Sequence, residues 1–168
     1  MEVFRYPDES QWGKITERPD NDNSTVFASV QEILNEVKLN GDVAIKKFNK
    51  KFDKAEFDEL LVSDEEISVA NNLVSEPLKD AIRLAAKNIE TFHNTQVFIG
   101  EPIETSPGVR CWQKSVAIEK VGLYIPGGTA PLFSTVLMLA IPAKIAGCNE
   151  IVLCTPPNSD GSIHPAIL

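Results

Sequence analysis

The sequence predicts an α/β fold: a helical amino-terminal region, then an incomplete Rossmann-like parallel βαβ unit. Three observations predict it. Apolar residues recur at helical spacing from Val26 to Phe92. Beyond Gly108 the pattern turns to β-branched and aromatic runs, as in strands. Finally "VGLYIPGGTAPLFSTVLMLAIPAKIAGCNEIVLCTPP", Val121 to Pro157, reads as strand, glycine turn, helix and strand. The expected division is residues 1–107, mostly helical, and residues 108–168, the start of an α/β nucleotide-binding domain that breaks off at Leu168.

The elements follow in order. Ser24 can cap a helix carrying Val26, Phe27, Val30, Ile33, Leu34 and Val37, which Gly41 is placed to end. Asp42 can cap the next, through Ala44, Ile45 and Phe48. Residues 57–62 read as a short strand or an extended connector. "SDEE" at Ser63–Glu66 has capping-box spacing, so a short helix should follow. A longer helix starts near Ser75 with Pro77 in its first turn. Its stripe is Leu78, Ile82, Ala85, Ile89 and Phe92. Residues 96–108 hold two prolines and two glycines and read as a loop. "VRCWQKSVAIEKVGLYIP" reads as two successive strands.

Val121 to Ile125 has the character of a buried parallel strand. Leu132 to Ala146 is then a helix, apolar nearly all round and expected to be buried, with Gly147 closing it. Ile151 to Leu153 completes a right-handed crossover.

Bulk properties exclude several classes. The 168 residues carry a net charge of -8, with no basic stripe to neutralise nucleic-acid phosphates. The longest apolar stretch, Pro131 to Ile145, is interrupted by Pro142 and Lys144 and is too short to span a bilayer. "MEVFRYPDES" lacks signal-peptide character. Three cysteines, Cys111, Cys148 and Cys154, without CxxC spacing read as reduced thiols in a cytoplasmic protein.

The chemistry that "PGG" in a strand–turn–helix supports is anion binding. Turn amides and a helix amino terminus converge on one spot, at the carboxyl ends of the strands. Yet "PGG" is neither GxGxxG nor a P-loop, and "CTPP" at the second strand end lacks the carboxylate that usually holds a ribose. Spacing alone leaves two readings open, nucleotide binding and a turn that serves only the fold.

The same stretch, with "GDVAIKKFNKKFD", "KNIETFH" and "PGVRCWQ" in the same order, closely resembles the histidinol dehydrogenase family. The resemblance runs from about Val26 onward. It implies an α/β fold with incomplete Rossmann-like units related to aldehyde dehydrogenases. It also implies a longer, zinc-dependent homodimeric enzyme that oxidises L-histidinol to L-histidine. Two successive hydride transfers to NAD pass through histidinal. The family's NAD-contacting tyrosine matches Tyr124, and Pro126, Gly127 and Gly128 share its motif. Pro156 and Pro157, at the neighbouring strand end, are further candidates to flank the cofactor. The catalytic Glu-His pair, the zinc ligands and the substrate residues are expected beyond Leu168. No catalytic or metal residue is therefore assigned in this chain, which is expected to be inactive alone. The alternative is a non-catalytic α/β module that binds a nucleotide or a protein.

Other residues draw plainer readings. Tyr124 on its own is as well read as a strand-end ring in the core. Cys154 sits beside the glycine turn, but activation needs a base or a positive field, and a buried structural thiol is expected. His93, next to the stripe of its helix, reads as a core-edge histidine with a satisfied hydrogen bond. Ser162 is placed to cap a further helix, with His164 exposed. Asp64, Glu65 and Glu66 complement a helix dipole. Trp12 and Trp112 read as packing anchors.

Overall fold

The computed structural model describes residues 3–18, 24–127 and 131–168. Its compact units are Met1–Ala44 and Ile45–Leu168. The first holds α1 (Glu9–Thr16), α2 (Ser24–Asn40) and the first turn of α3 (Asp42–Phe52). The sequence pattern does not announce α1. Its start is local chemistry: the Asp8 carboxylate accepts from the Ser10 amide at 2.9 Å and from its hydroxyl, which holds the Asp8 carboxyl below its ordinary range. Trp12, on α1, is exposed and only reaches the Pro7 carbonyl at 3.3 Å, so it does not anchor a core. Gly41 ends α2 at φ 54°, donating to the Val37 carbonyl at 2.8 Å.

In the second unit, residues 57–62 form a connector without strand pairing. α4 (Asp64–Leu73) opens with a complete capping box, and α5 (Glu76–Asn94) starts after Ser75 with its proline in the first turn. α6 (Phe133–Ile145) lies on β3 (Lys120–Tyr124), β4 (Glu150–Cys154) and α5. β3 and β4 pair in parallel, in the register Lys120↔Glu150 to Tyr124↔Cys154. Lys120 and Glu150 form an ion pair at 2.8 Å at the start of both strands. Beyond the ends, the Ile125 amide donates to the Cys154 carbonyl at 2.9 Å. Ile125 is wholly buried and pins the point where the chain leaves the sheet.

Several expectations need correction. Residues 96–108 contain a strand: β1 (Ile103–Ser106) pairs antiparallel with β2 (Val109–Cys111). Pro102 and Pro107 bound that strand instead of excluding it. Pro107 and Gly108, at φ 79°, make the turn, and the Gly108 amide donates to the Glu104 carboxylate at 2.9 Å. The hairpin packs on no other described element, and Trp112 beside it is exposed, so it is no anchor either. α6 is not buried. None of its residues is fully enclosed, and Met138 and Leu139 face solvent, because α5, β3 and β4 cover only part of its circumference. Ser162 caps no helix. It donates to the Asp160 carboxylate, through its amide at 2.9 Å and its hydroxyl at 2.6 Å, within a turn.

Candidate functional site

A groove of about 1170 Å³ opens at the carboxyl ends of β3 and β4. Tyr124, Pro126 and Gly127 line it from β3, and Pro156 and Pro157 from β4. Five of the residues singled out in the sequence thus meet in one place; Gly128 lies outside the described residues. The alternation of the two strands explains the geometry. Val121, Leu123, Ile151 and Leu153 form the half-buried set, while Gly122, Tyr124, Val152 and Cys154 form the exposed one. Tyr124 is 63% exposed, so its ring is not in the core. Cys154 is likewise exposed on the groove wall and is not a buried structural thiol.

Gly127 matters for its missing side chain. A Cβ there would sit 2.6 Å from Cγ of Pro156, so only glycine lets the two strand ends close on each other. At the adjoining start of α6, Leu132 in the cap position makes no side-chain hydrogen bond, and no acidic residue occupies the first turn. First-turn amides that no side chain among the described residues caps suit an anion.

A second set of lining residues was not foreseen. The end of α3 contributes Asn49 and Phe52, and Asp53 follows at once. The Phe52 ring is 56% exposed and stacks on Phe48 with centroids 5.8 Å apart. The turn after β4 also lines the groove through Gly161, at φ 83°, where a Cβ would meet the Glu56 carbonyl at 3.4 Å and Phe57 at 3.9 Å. The available signals were an aromatic ending the stripe of α3 and a carboxylate at the wrong end of a helix dipole. Neither says which residues share the groove. Among the described lining residues none is Lys or Arg, while Asp53, Glu59 and Glu66 are acidic. Glu66 is engaged by its capping box: the Ser63 amide, then the Ser63 hydroxyl, lower its pKa.

No three His, Cys, Asp or Glu side chains among the described residues come together as a metal site. His93 is half-buried, with Nδ1 2.6 Å from the Gln96 side-chain oxygen, as a core-edge histidine should be. His164 lines the groove but turns Nδ1 to the Ala166 amide at 3.2 Å.

A parallel strand pair, its crossover helix and a groove at the strand ends define a protein of the Rossmann-like α/β class. The family model described as histidinol dehydrogenase matches residues 16–168. The chain belongs to the histidinol dehydrogenase family. It is 56% identical over its whole length to the histidinol dehydrogenase of Bacteroides thetaiotaomicron, of which it spans 39%. It is 49% identical over 149 residues, 89% of the chain, to that of Salmonella typhimurium, of which it spans 34%. The crystal structure of histidinol dehydrogenase from Elizabethkingia anophelis superimposes with a TM-score of 0.87 at 47% identity, over 96% of this chain and 37% of the other. The chain thus spans about two fifths of the length of the relatives it matches.

Proposed function

We propose that this chain serves an NAD-dependent histidinol dehydrogenase by forming one wall of the dinucleotide site. The enzyme oxidises L-histidinol to L-histidine through histidinal, as a cytoplasmic homodimer in histidine biosynthesis. The observation that carries this reading is the convergence of Tyr124, Pro126, Gly127, Pro156 and Pro157 on one groove. NAD, when bound, would accept one hydride from the carbinol carbon, and a second NAD molecule one from the hydrated aldehyde. This chain binds and orients. The Tyr124 ring offers a face for a nucleotide ring, and the strand ends exclude water beneath it. Zinc is a further proposal for the enzyme, with ligands outside this chain. Residues 108–168 form the nucleotide-binding portion in this reading, and residues 1–107 the helical scaffold.

The test is a chimera of this chain with the remainder of the Bacteroides thetaiotaomicron relative, supplied to a strain lacking the dehydrogenase. Growth on histidinol in place of histidine is expected. Tyr124→Ala should raise the KM for NAD about tenfold, the loss of one stacking contact. A chimera that folds but reduces no NAD with histidinol, beside an active parent relative, would overturn the reading.

A further inference from the structure

Asn40 closes α2 and is the only asparagine of the chain that precedes a glycine. We propose that the Asn40–Gly41 peptide is a site of spontaneous deamidation, gated by fraying of the last turn of α2, and that its aspartate and isoaspartate products loosen the joint between α2 and α3.

The chemistry balances with water as the sole co-reactant. In the opened turn the Gly41 amide loses its proton to solvent, and its nitrogen attacks Cγ of Asn40. The N–Cγ bond forms, the Cγ–Nδ2 bond breaks, and Nδ2 leaves as ammonia with a proton from solvent. Water then opens the cyclic imide. Attack at Cγ gives aspartate, and attack at the main-chain carbonyl carbon of residue 40 gives isoaspartate.

Four observations carry it. First, the nucleophile is uncrowded: Gly41 has no side chain, and a Cβ there would meet no atom within 4 Å. Second, the electrophile is accessible. Asn40 is exposed, and no hydrogen bond with the described residues holds its side-chain amide. Other asparagines are engaged: Asn35 accepts from Gln31 at 3.0 Å, Asn72 donates to the Ser68 carbonyl at 3.3 Å, and Asn158 donates to the Ser162 hydroxyl at 3.2 Å.

Third, one hydrogen bond closes the gate. The Gly41 amide donates to the Val37 carbonyl at 2.8 Å, which holds the nitrogen to the helix instead of to Cγ. Fourth, that turn is weakly braced. No other described element of its unit packs along α2, and Leu39, beside Asn40, is 83% exposed. A terminal turn held mainly by its own bonds opens at little cost. The chain's one Asp–Gly pair shows the opposite arrangement. The Asp160 carboxylate accepts from the Ser162 hydroxyl at 2.6 Å and its amide at 2.9 Å, which lower its pKa and keep it in the ionised form that a nitrogen does not attack. Either product at residue 40 sets a carboxylate at the carbonyl end of α2, which repels it, and isoaspartate also lengthens the main chain just before α3.

The experiment is incubation of the intact chain in mildly alkaline buffer, followed by tryptic digestion and mass spectrometry of every asparagine-bearing peptide. Peptide 39–46 is expected to exchange its amide for a carboxyl before any other. It should do so about tenfold more slowly than the same sequence as a free peptide, in proportion to the hydrogen-exchange protection of the Gly41 amide. Asn40→Gln, which places the amide one methylene further out, should stop the conversion. Asn40→Asp should speed amide exchange in the last turn of α2 and leave β3 and β4 unchanged.

No conversion in peptide 39–46 while the free peptide converts overturns the site, as does a conversion led by Asn158 or an equal mass gain in Asn40→Gln. A slowing far beyond the protection of the Gly41 amide overturns the gate. Unchanged exchange in Asn40→Asp overturns the loosening of the joint.

Discussion

α4 and α6 lie in the same compact unit and are held by opposite means. α4 is short and held by its own end. Ser63 accepts from the Glu66 amide at 3.2 Å, Glu66 accepts from the Ser63 amide at 2.8 Å, and three acids fill the first turn. α6 has no side-chain cap, no acid in its first turn, and Pro142 inside it, which removes one intrahelical donor. It persists because α5, β3 and β4 press on its apolar surface. One helix is written in adjacent residues; the other exists only in company.

Breaking the company should cost most. Leu137 is half-buried on α6 and lines the hollow shared with Ile82 of α5. Leu137→Asp should destabilise the second unit by about 3 kcal/mol, because it removes apolar packing against α5 and half-buries a charge. Urea unfolding followed by circular dichroism measures this, and a loss below about 1 kcal/mol would mean that α6 holds itself.

Breaking the cap should cost less and stay local. Ser63→Ala should remove about 1 kcal/mol, read in the same assay. It also carries a signature in pH. The folded carboxyl of Glu66 titrates below its ordinary value, chiefly through the Ser63 amide, so it binds fewer protons than the unfolded group. Its contribution is present above the unfolded value of 4.5 and is lost as pH falls through the lower folded one. In Ser63→Ala that acid-side step should shrink, since the hydroxyl's share is gone. An unchanged step would place it on another carboxyl, such as Asp8 or Asp160.

The smallest effect belongs to the uncovered side of α6. Met138 is 51% exposed, and Met138→Gln should change stability by less than about 0.5 kcal/mol. A larger loss in this chain would show that the uncovered side is already in contact.

The same contrast explains what could be read from the sequence. Features specified by neighbours in the chain were legible: the box at Ser63–Glu66, the positive φ of Gly41 and Gly147, and the start of α5. So were the two parallel strands, and with them one wall of the groove, because their residues lie together in "GLYIPGG" and "CTPP". What failed depended on distance. An apolar helix says that it needs partners, not how many it has, so the burial of α6 was overstated. The exposure of Cys154 and Trp112 follows from which side a neighbour occupies, which periodicity does not record. The wall from α3 is remote in sequence from Tyr124, and no local pattern links them. β1 was hidden because prolines were read as loop signals when here they frame a strand.

The hairpin of β1 and β2 separates two sheets of equal strand number in time. An isolated pair of strands is marginal in water, and this one leans on no other described element. Its amides should therefore trade protons with solvent by brief private openings. Those of β3 and β4, locked beneath α6, must wait for the whole unit to come apart. The chain keeps two clocks, and only the slower one reads the stability of the groove.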